Sequence, residues 1–209
     1  MTQAKVKRSG DQYLVWFDTE YSGLHLEDAY LLQVAALITD RALKRVMPAE
    51  RDIRLTVRLP AGAVVSPWVE ENLSDLLALC RSPLSSELRD VDRILADYID
   101  GFIGPPADQE KQRPILAGNT IHADWRLAQK YLPHFTKRLH YRHLDVTTLK
   151  IEWQNLHAKE IFEKEDPENI RRYFPEARFI EGETRHDAYY DIQASIAELA
   201  FYRQHLFRK

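Results

Sequence analysis

The sequence predicts a mixed α/β domain in which five strands form a sheet with helices on both faces. Three observations lead to this fold class. The first third of the chain carries three apolar runs of strand length, and the remainder alternates amphipathic helical patterns with two short apolar runs. The length of 209 residues is enough for one hydrophobic core and short for two.

The first three strands are predicted at residues 13–17, 31–38 and 53–59. The third alternates cleanly and places Ile53, Leu55, Val57 and Leu59 on one face. Turn residues, chiefly Gly and Pro, separate the three runs. Because the links are short, we expect hairpins and therefore an antiparallel start to the sheet.

The second part of the chain changes to helical periodicity. Helices are predicted at 68–81, 85–100, 122–131, 147–157 and 187–205, and strands at 115–119 and 144–146. Residues 158–185 are charged and irregular, which makes them a candidate lid. Active sites in open α/β sheets gather where strand ends meet helix starts, so we expect the site at those ends.

Composition and charge narrow the class of function. Apolar residues make up 44% of the chain and charged residues 29%, which is typical of a globular domain. The formal net charge of −3 argues against a long, non-specific nucleic-acid track, because such tracks depend on many Lys and Arg contacts to phosphates.

Cysteine content and apolar run lengths bear on location. Cys80 is the single cysteine, which excludes an intramolecular disulfide and a Cys-based metal site, and its apolar surroundings predict a buried thiol. No apolar run reaches membrane-spanning length, and residues 1–12 lack the apolar centre of a signal peptide. We therefore expect a soluble cytoplasmic protein without membrane contact, with a mitochondrial location as the alternative.

Two acids end the first strand in the stretch VWFDTEYSGL. Asp18 and Glu20 are two residues apart, so their side chains point to the same face of the strand. Taken alone, the pair is equally consistent with a solvated strand end. The alternative is a pair of rigidly held metal-ligating carboxylates.

Two further acids and a histidine occur later in the chain. Asp124 falls in the first turn of a helix, where the helix dipole alone favours an acid. Asp191 lies beside the apolar stripe of the last helix and needs a partner or a metal ion. His186 can act on the same target as Asp191 only if it lies in the loop before that helix. On a helix, a spacing of five residues separates two side chains by about 140°. Asp187 is a rival acid, for which we prefer an early-turn role.

Four carboxylates at one point repel each other and need compensating charge. Oxygen ligands select hard cations, so we expect Mg²⁺ or Mn²⁺. Two such ions roughly 4 Å apart can hydrolyse a phosphodiester, one by activating water and the other by stabilising the leaving oxygen. A histidine, which titrates near neutral pH, can take the proton from that water.

The order Asp-x-Glu, Asp, His-x4-Asp resembles the DEDDh class of 3′→5′ exonucleases, and within it the oligoribonuclease family. The supporting segments are FDTEYSGL, LLQVAALITD, AGNTIHADWR, HYRHLDVTTLK and HDAYYDIQASIAELAFYR, which together touch most of the chain. The resemblance implies a ribonuclease H-like fold, with one exonuclease domain over 13–205 after a flexible segment, 1–12.

The same resemblance implies the activity and its residues. The expected reaction releases 5′-mononucleotides from the 3′ end of short oligoribonucleotides, dinucleotides included, with two metal ions per site. The implied metal ligands are Asp18, Glu20, Asp124 and Asp191, and the implied general base is His186.

Implied substrate contacts come from two subunits of a homodimer. Leu24 is the wedge against terminal bases, Trp68 stacks on a base, and Thr120 and Thr147 offer hydroxyls to phosphate. Tyr141 and Arg142 reach the partner's site and cap the 5′ end of the substrate. The structural alternatives are that Trp68 is a core residue at a helix start and that Tyr141 and Arg142 pack the sheet edge.

The sequence departs from the family pattern in three places. Leu73 stands where the family usually has a histidine, and DLLALCRSPLS replaces the Gly/Ser-rich segment that commonly follows. Residues 158–185 are longer and more acidic than the usual loop. These departures keep open a DEDDh exonuclease that trims longer RNA or DNA. A non-catalytic nucleic-acid-binding scaffold is a third hypothesis, weakened because all five catalytic positions are filled.

Overall fold

The computed structural model describes residues 9–157, 161–179 and 186–206. Within these residues the chain forms five strands and eight α-helices. In chain order they are β1 (Tyr13–Tyr21), β2 (Leu31–Asp40), β3 (Ile53–Thr56), α1 (Pro67–Asn72), α2 (Ser74–Cys80), α3 (Leu88–Phe102), β4 (Ile115–Gly118), α4 (His122–Tyr131), α5 (Pro133–Thr136), β5 (His143–Asp145), α6 (Val146–Leu156), α7 (Pro167–Tyr173) and α8 (Ala188–Leu206).

The five strands form one sheet in the order β3-β2-β1-β4-β5. Strand β1 pairs antiparallel with β2, and β2 pairs antiparallel with β3. Strand β4 runs parallel to β1, and β5 runs parallel to β4. The antiparallel start predicted from the short links is confirmed, and β1 lies at the centre of the mixed sheet.

Helices cover both faces of the sheet, as predicted. Because strand side chains alternate, Trp16 packs on one face with α6, α7 and α8, while Phe17 packs on the other with α3, α4 and α5. Two separate hydrophobic cores result, one on each face. The carboxyl end of β1 therefore receives side chains from both layers.

Helix α8 is the main support of the first core. It has 19 residues, of which twelve are buried, including Ile192, Ile196 and Leu199. A helix buried on most sides is held by its neighbours, so its position relative to β1 is well defined. Among the described residues, no helix is both long enough and apolar enough to cross a bilayer.

The predicted helix 68–81 is two helices with a break at Leu73. Leu73 adopts φ −124° and ψ 32°, which is outside the helical region, and both α1 and α2 meet there. Its side chain is buried with Leu32, Leu77 and Cys80. The helical periodicity over 68–81 is present in both helices, and the bend lets the apolar residues of both join one buried cluster with Leu32 of β2. The thiol of Cys80 is buried, as expected, and donates to the Leu32 carbonyl oxygen at 3.3 Å.

The prediction of irregular structure over 158–185 is wrong for its centre. Helix α7 forms there, and Phe162, Ile170 and Phe174 are buried in the core beside α8. The rest of the candidate lid, residues 158–160 and 180–185, lies outside the described residues. So do residues 1–8 of the predicted flexible segment, while Gly10–Gln12 form a 3₁₀ turn.

Candidate active site

Three carboxylates converge where β1 ends beside α8. Asp18 and Glu20 share the face of β1 that carries Trp16, and Asp191 comes from the first turn of α8 on that same side. One carboxylate oxygen of each residue lies within 4.8 Å of the others. The period-two spacing on β1 thus brings the two strand acids to the helix acid, as the sequence predicts.

Asp124 reaches the site from the opposite layer. It lies in the first turn of α4, and its Oδ1 accepts hydrogen bonds from the Thr19 backbone N–H at 2.9 Å and the Thr19 hydroxyl at 2.7 Å. Thr19 points to the face opposite Asp18 and Glu20, because it is the residue between them. Asp124 is therefore outside the group of three within 4.8 Å, although it lines the same cleft.

Burial and mutual repulsion shift the pKa values of these acids upward. Burial, followed by the charges of Asp124, Asp191 and Glu20, raises the pKa of Asp18 well above its usual range. Burial, followed by the Asp191 and Asp124 charges, raises the pKa of Glu20 to about 8. Burial raises the pKa of Asp124 to about 7 against the lowering effect of the Thr19 hydrogen bonds. Burial likewise raises the pKa of Asp191.

A lysine behind the cluster supplies partial compensation. The Lys164 ammonium lies 3.2 Å from the buried carboxylate of Glu198, which also accepts hydrogen bonds from Asn119 and Tyr202. The positive charge of Lys164 lowers the pKa values of Asp18 and Asp191, although it does not offset their burial.

The residues present fit a divalent metal ion. Three carboxylates with raised pKa values and oxygens within 4.8 Å form a costly arrangement that a bound hard cation stabilises. Asp124 adds a fourth carboxylate to the same cleft. The donor set consists of oxygen atoms alone, which is the chemistry that Mg²⁺ and Mn²⁺ prefer.

His186 lies in the turn before α8, where the sequence argument requires it. Its backbone N–H donates to Asp191 Oδ2 at 3.0 Å, and its φ of +69° is in the left-handed region. Its ring centroid is 5.1 Å from that of Trp68 in an edge-on contact. The neighbouring Asp187 accepts from the N–H groups of Tyr189 and Tyr190 and so caps α8, which agrees with the preferred early-turn role.

A cleft of about 700 Å³ opens in front of the acids. Leu24 at its mouth is 88% exposed and Trp68 is 48% exposed. Exposed large apolar side chains grouped at a cleft mark it as a surface for ligand contact. The cleft is lined by Asp18, Thr19, Glu20, Tyr21, Gly23, Leu24, His25, Ser66, Pro67, Trp68, Val69, Asn119, Thr120, Ala123, Asp124, His186 and Asp191.

The two threonines predicted to contact phosphate have different positions. Thr120 lines the cleft with φ +52°, two residues after the end of β4. Thr147 is not part of the lining, and its hydroxyl accepts from the Thr120 N–H at 2.8 Å. The turn also requires Gly118, since a Cβ there would lie 2.9 Å from the Phe17 carbonyl oxygen. Thr147 thus supports the backbone of Thr120.

Tyr141 and Arg142 lie outside the cleft of their own chain. Tyr141 is 57% exposed and stacks on His140 at 4.5 Å between ring centroids, while the Arg142 guanidinium lies 5.3 Å from the Tyr141 ring centroid. Within the described part of the chain, the cleft lining contains two histidines but no Lys or Arg.

Sequence reasoning missed several polar residues around the acids. Thr19, Gln33, Asn119, Lys164 and Glu198 form the hydrogen bonds and ion pairs that hold the site. One signal was available, since a glutamine inside the apolar run LLQVAALI and a glutamate inside IQASIAELAF need buried partners. Which partners they take depends on long-range packing.

Comparisons with known proteins give a consistent result. The exonuclease family model RNase_T matches residues 96–199. The oligoribonuclease of Francisella tularensis subsp. holarctica (strain OSU18) is 30% identical over 196 residues, which cover 92% of this chain and 95% of the relative. The mitochondrial oligoribonuclease of Bos taurus is 30% identical over 203 residues, covering 95% of this chain and 75% of the relative.

Solved structures bear on the fold alone. Exonuclease I from Methylocaldum szegediense superposes with a TM-score of 0.65 at 14% identity and covers 94% of this chain. This chain spans 41% of the length of that protein. The match confirms the ribonuclease H-like fold predicted above.

Proposed function

Since the chain belongs to the oligoribonuclease family of exonucleases, we propose that it degrades short oligoribonucleotides, dinucleotides included, to 5′-mononucleotides. It is a nuclease that removes nucleotides from the 3′ end of short RNA, and its acidic cluster indicates the use of divalent metal ions. The further proposals concern the identity of the ions, the role of each residue and the assembly. The single domain is assigned to residues 13–205.

One observation carries the proposal. The carboxylates of Asp18, Glu20 and Asp191 converge within 4.8 Å at the base of a cleft whose mouth exposes Leu24 and Trp68. A metal-binding cluster below two apolar groups suits a phosphodiester flanked by bases. Two bound Mg²⁺ or Mn²⁺ ions would supply an activated water and neutralise charge on the leaving oxygen.

The side chains of this chain divide the remaining work. Asp18, Glu20, Asp124 and Asp191 hold the ions, and His186 takes the proton of the attacking water. Two observations support this role: the His186 backbone N–H donates to Asp191 Oδ2 at 3.0 Å, and His186 is one of the residues that line the cleft.

Substrate binding uses the cleft walls. Leu24 separates terminal bases, Trp68 stacks on one of them, and the Thr120 hydroxyl contacts phosphate. Base stacking contributes about 1–3 kcal/mol per base and does not depend on sequence. Thr147 contributes indirectly, because its hydroxyl hydrogen-bonds Thr120 and so positions the turn that carries Thr120.

We propose a homodimer in which Tyr141 and Arg142 of one protomer cap the substrate in the other, with Arg142 on the 5′ phosphate. Their exposure on the surface of a single chain is compatible with that arrangement. A capped cleft accommodates only a few nucleotides.

The test is a cleavage time course with 5′-labelled RNAs of 2, 5 and 20 nucleotides in Mg²⁺, Mn²⁺ or EDTA. Fast, EDTA-sensitive loss of the 2-mer with a lagging 20-mer is expected. Equal or faster attack on the 20-mer would support an exonuclease trimming longer RNA or DNA. An absence of both cleavage and Mn²⁺ binding would indicate the scaffold.

Arg142→Ala is expected to raise KM for 5′-phosphorylated dinucleotides by about 10-fold or more, because a charge-assisted hydrogen bond contributes about 1.5–3 kcal/mol. Steady-state kinetics on dinucleotides with and without the 5′ phosphate measure this, and the 5′-hydroxyl substrate should respond little. Arg126→Ala, at an exposed arginine outside the cleft lining, is the control. An unchanged KM contradicts the cap.

Mixed dimers separate a trans cap from a cis contact. Arg142→Ala protomers combined with Asp18→Ala protomers contain a site with intact acids facing an intact Arg142. A low KM in the mixture supports the trans arrangement. A KM in the mixture that stays as high as that of the Arg142→Ala homodimer supports a cis contact.

The cytoplasmic location is proposed as well. One relative is mitochondrial by name, which makes the mitochondrion the alternative. Cell fractionation decides between the two.

A further inference from the structure

A buried glutamine connects the central part of the sheet to the start of α8. Gln33 lies on β2 opposite Glu20 and is 6% exposed. Its Oε1 accepts from the Ala188 backbone N–H at 2.8 Å, and its Nε2 donates to Asp187 Oδ2 at 3.0 Å. Both partners directly follow His186 in the chain.

Asp187 completes the connection. Its Oδ1 accepts from the N–H groups of Tyr189 and Tyr190, and its Oδ2 accepts from Arg54 Nη2 at 2.8 Å as well as from Gln33. We call Gln33, Asp187 and Arg54 the latch. Three hydrogen bonds join β2 and β3 to the start of α8, and two more from Tyr189 and Tyr190 to Asp187 cap the helix.

The backbone beside the latch is strained. His186 has φ +69°, a conformation that costs a residue with a Cβ about 1–3 kcal/mol and persists only where the surroundings impose it. The N–H of His186 is tied to Asp191, and the two residues after it are tied to the latch. The described part of the turn is therefore held at His186 and at the two residues that follow it.

We propose that Gln33 and Asp187 are positioning residues, whose hydrogen bonds hold the turn that carries His186 against the strand pair that carries Glu20. Neither side chain lines the cleft, so we infer that they act through His186. The inference rests on the function proposed above, in which His186 takes the proton of the attacking water. Without the latch, the strained turn relaxes and the imidazole leaves its position.

Gln33→Leu is expected to lower kcat about 10- to 100-fold, with KM changed less than about threefold, as small misplacements of a reacting group do. A double-mutant cycle separates positioning from general damage. In a His186→Ala background, Gln33→Leu should change kcat less than about twofold, because the group it positions is gone. Full additivity of the two losses would contradict the proposal.

A matched control for Gln33 is available in α8, the helix whose start the latch holds. Gln193 is also fully buried and bonds the Arg178 backbone through both ends of its amide. Gln193→Leu should lower thermal stability as Gln33→Leu does, yet leave kcat within about twofold at a temperature well below unfolding. An equal loss of kcat in both variants would contradict the positioning role and show that the latch only stabilises the fold.

An exchange of partners provides the sharpest test. Gln33→Glu alone brings two carboxylates together and removes the donor, so kcat should fall. Combining Gln33→Glu with Asp187→Asn restores one amide–carboxylate hydrogen bond, with the amide now at position 187 donating to the carboxylate at position 33. The side-chain oxygen of the asparagine can still cap α8. We expect kcat to return to within about fivefold of the wild-type value. A double variant no better than Gln33→Glu overturns the proposal.

Hydrogen exchange gives a reading that is independent of activity. Amides from 186 to 191 should exchange faster in Gln33→Leu and return toward wild-type protection in the exchanged pair. Unchanged protection overturns the latch even if the chain cleaves dinucleotides. If the wild type cleaves nothing, the proposed function fails, and the exchange rates still decide whether the latch holds the turn.

Discussion

Asp18→Ala is expected to abolish turnover. The substitution removes one of the three carboxylates within 4.8 Å and the one whose pKa is raised by all three neighbouring acids. If the ions contribute several kcal/mol to charge stabilisation, activity should fall about 1,000-fold or more, since about 1.4 kcal/mol corresponds to a factor of ten. Dinucleotide cleavage in Mn²⁺ measures the loss.

Two controls make the result specific to the metal site. Asp18→Asn keeps the shape and removes the charge, so it should be nearly as inactive. Asp28→Asn changes an exposed acid outside the cleft lining and should be active. Calorimetric titration should show weaker Mn²⁺ binding in the two Asp18 variants. Turnover near the wild-type level in Asp18→Ala would refute the ligand role.

His186→Ala should lower kcat by about 100- to 10,000-fold, the usual contribution of a positioned general base. The imidazole is outside the group of three carboxylates, so Mn²⁺ affinity should change little. The variant thus separates proton transfer from metal binding. Single-turnover cleavage and Mn²⁺ titration on the same protein provide the two measurements.

The exposed His134, outside the cleft lining, supplies the matched control. His134→Ala should retain wild-type kcat. A His186→Ala enzyme with wild-type kcat would assign proton removal to another group, whereas simultaneous loss of Mn²⁺ binding would assign His186 a role in holding the metal.

Local patterns sufficed for the strands and for the face on which each acid lies. The alternation on β1 places Asp18 and Glu20 on one face, and the stripe of α8 places Asp191 beside the core. Helix geometry likewise puts His186 in the turn before α8 if it shares a target with Asp191. That the three acids converge depends on the packing of α8 against that face of β1, which only the family resemblance implied.

Features that depend on long-range packing were not predictable. The bend at Leu73 accompanies the burial of apolar residues from both α1 and α2 in one cluster with Leu32 of β2, and apolar spacing along the chain does not reveal it. Helix α7 is short, and the charged surroundings of Ile170 concealed its buried face. The pairing of Gln33 with Asp187 joins residues 154 positions apart, so the sequence marks Gln33 as unusual without naming its partner.

Because its acids are buried, the site exchanges protons for metal ions. Glu20, whose pKa burial raises to about 8, is largely protonated at neutral pH when no cation is bound, and burial shifts the pKa of Asp18 in the same direction. An entering metal ion displaces protons from such ligands, since the ligands must be deprotonated. Loading therefore acidifies the medium, and acidification works against loading. The occupancy of this cleft is set jointly by two concentrations, that of the metal ion and that of the hydrogen ion.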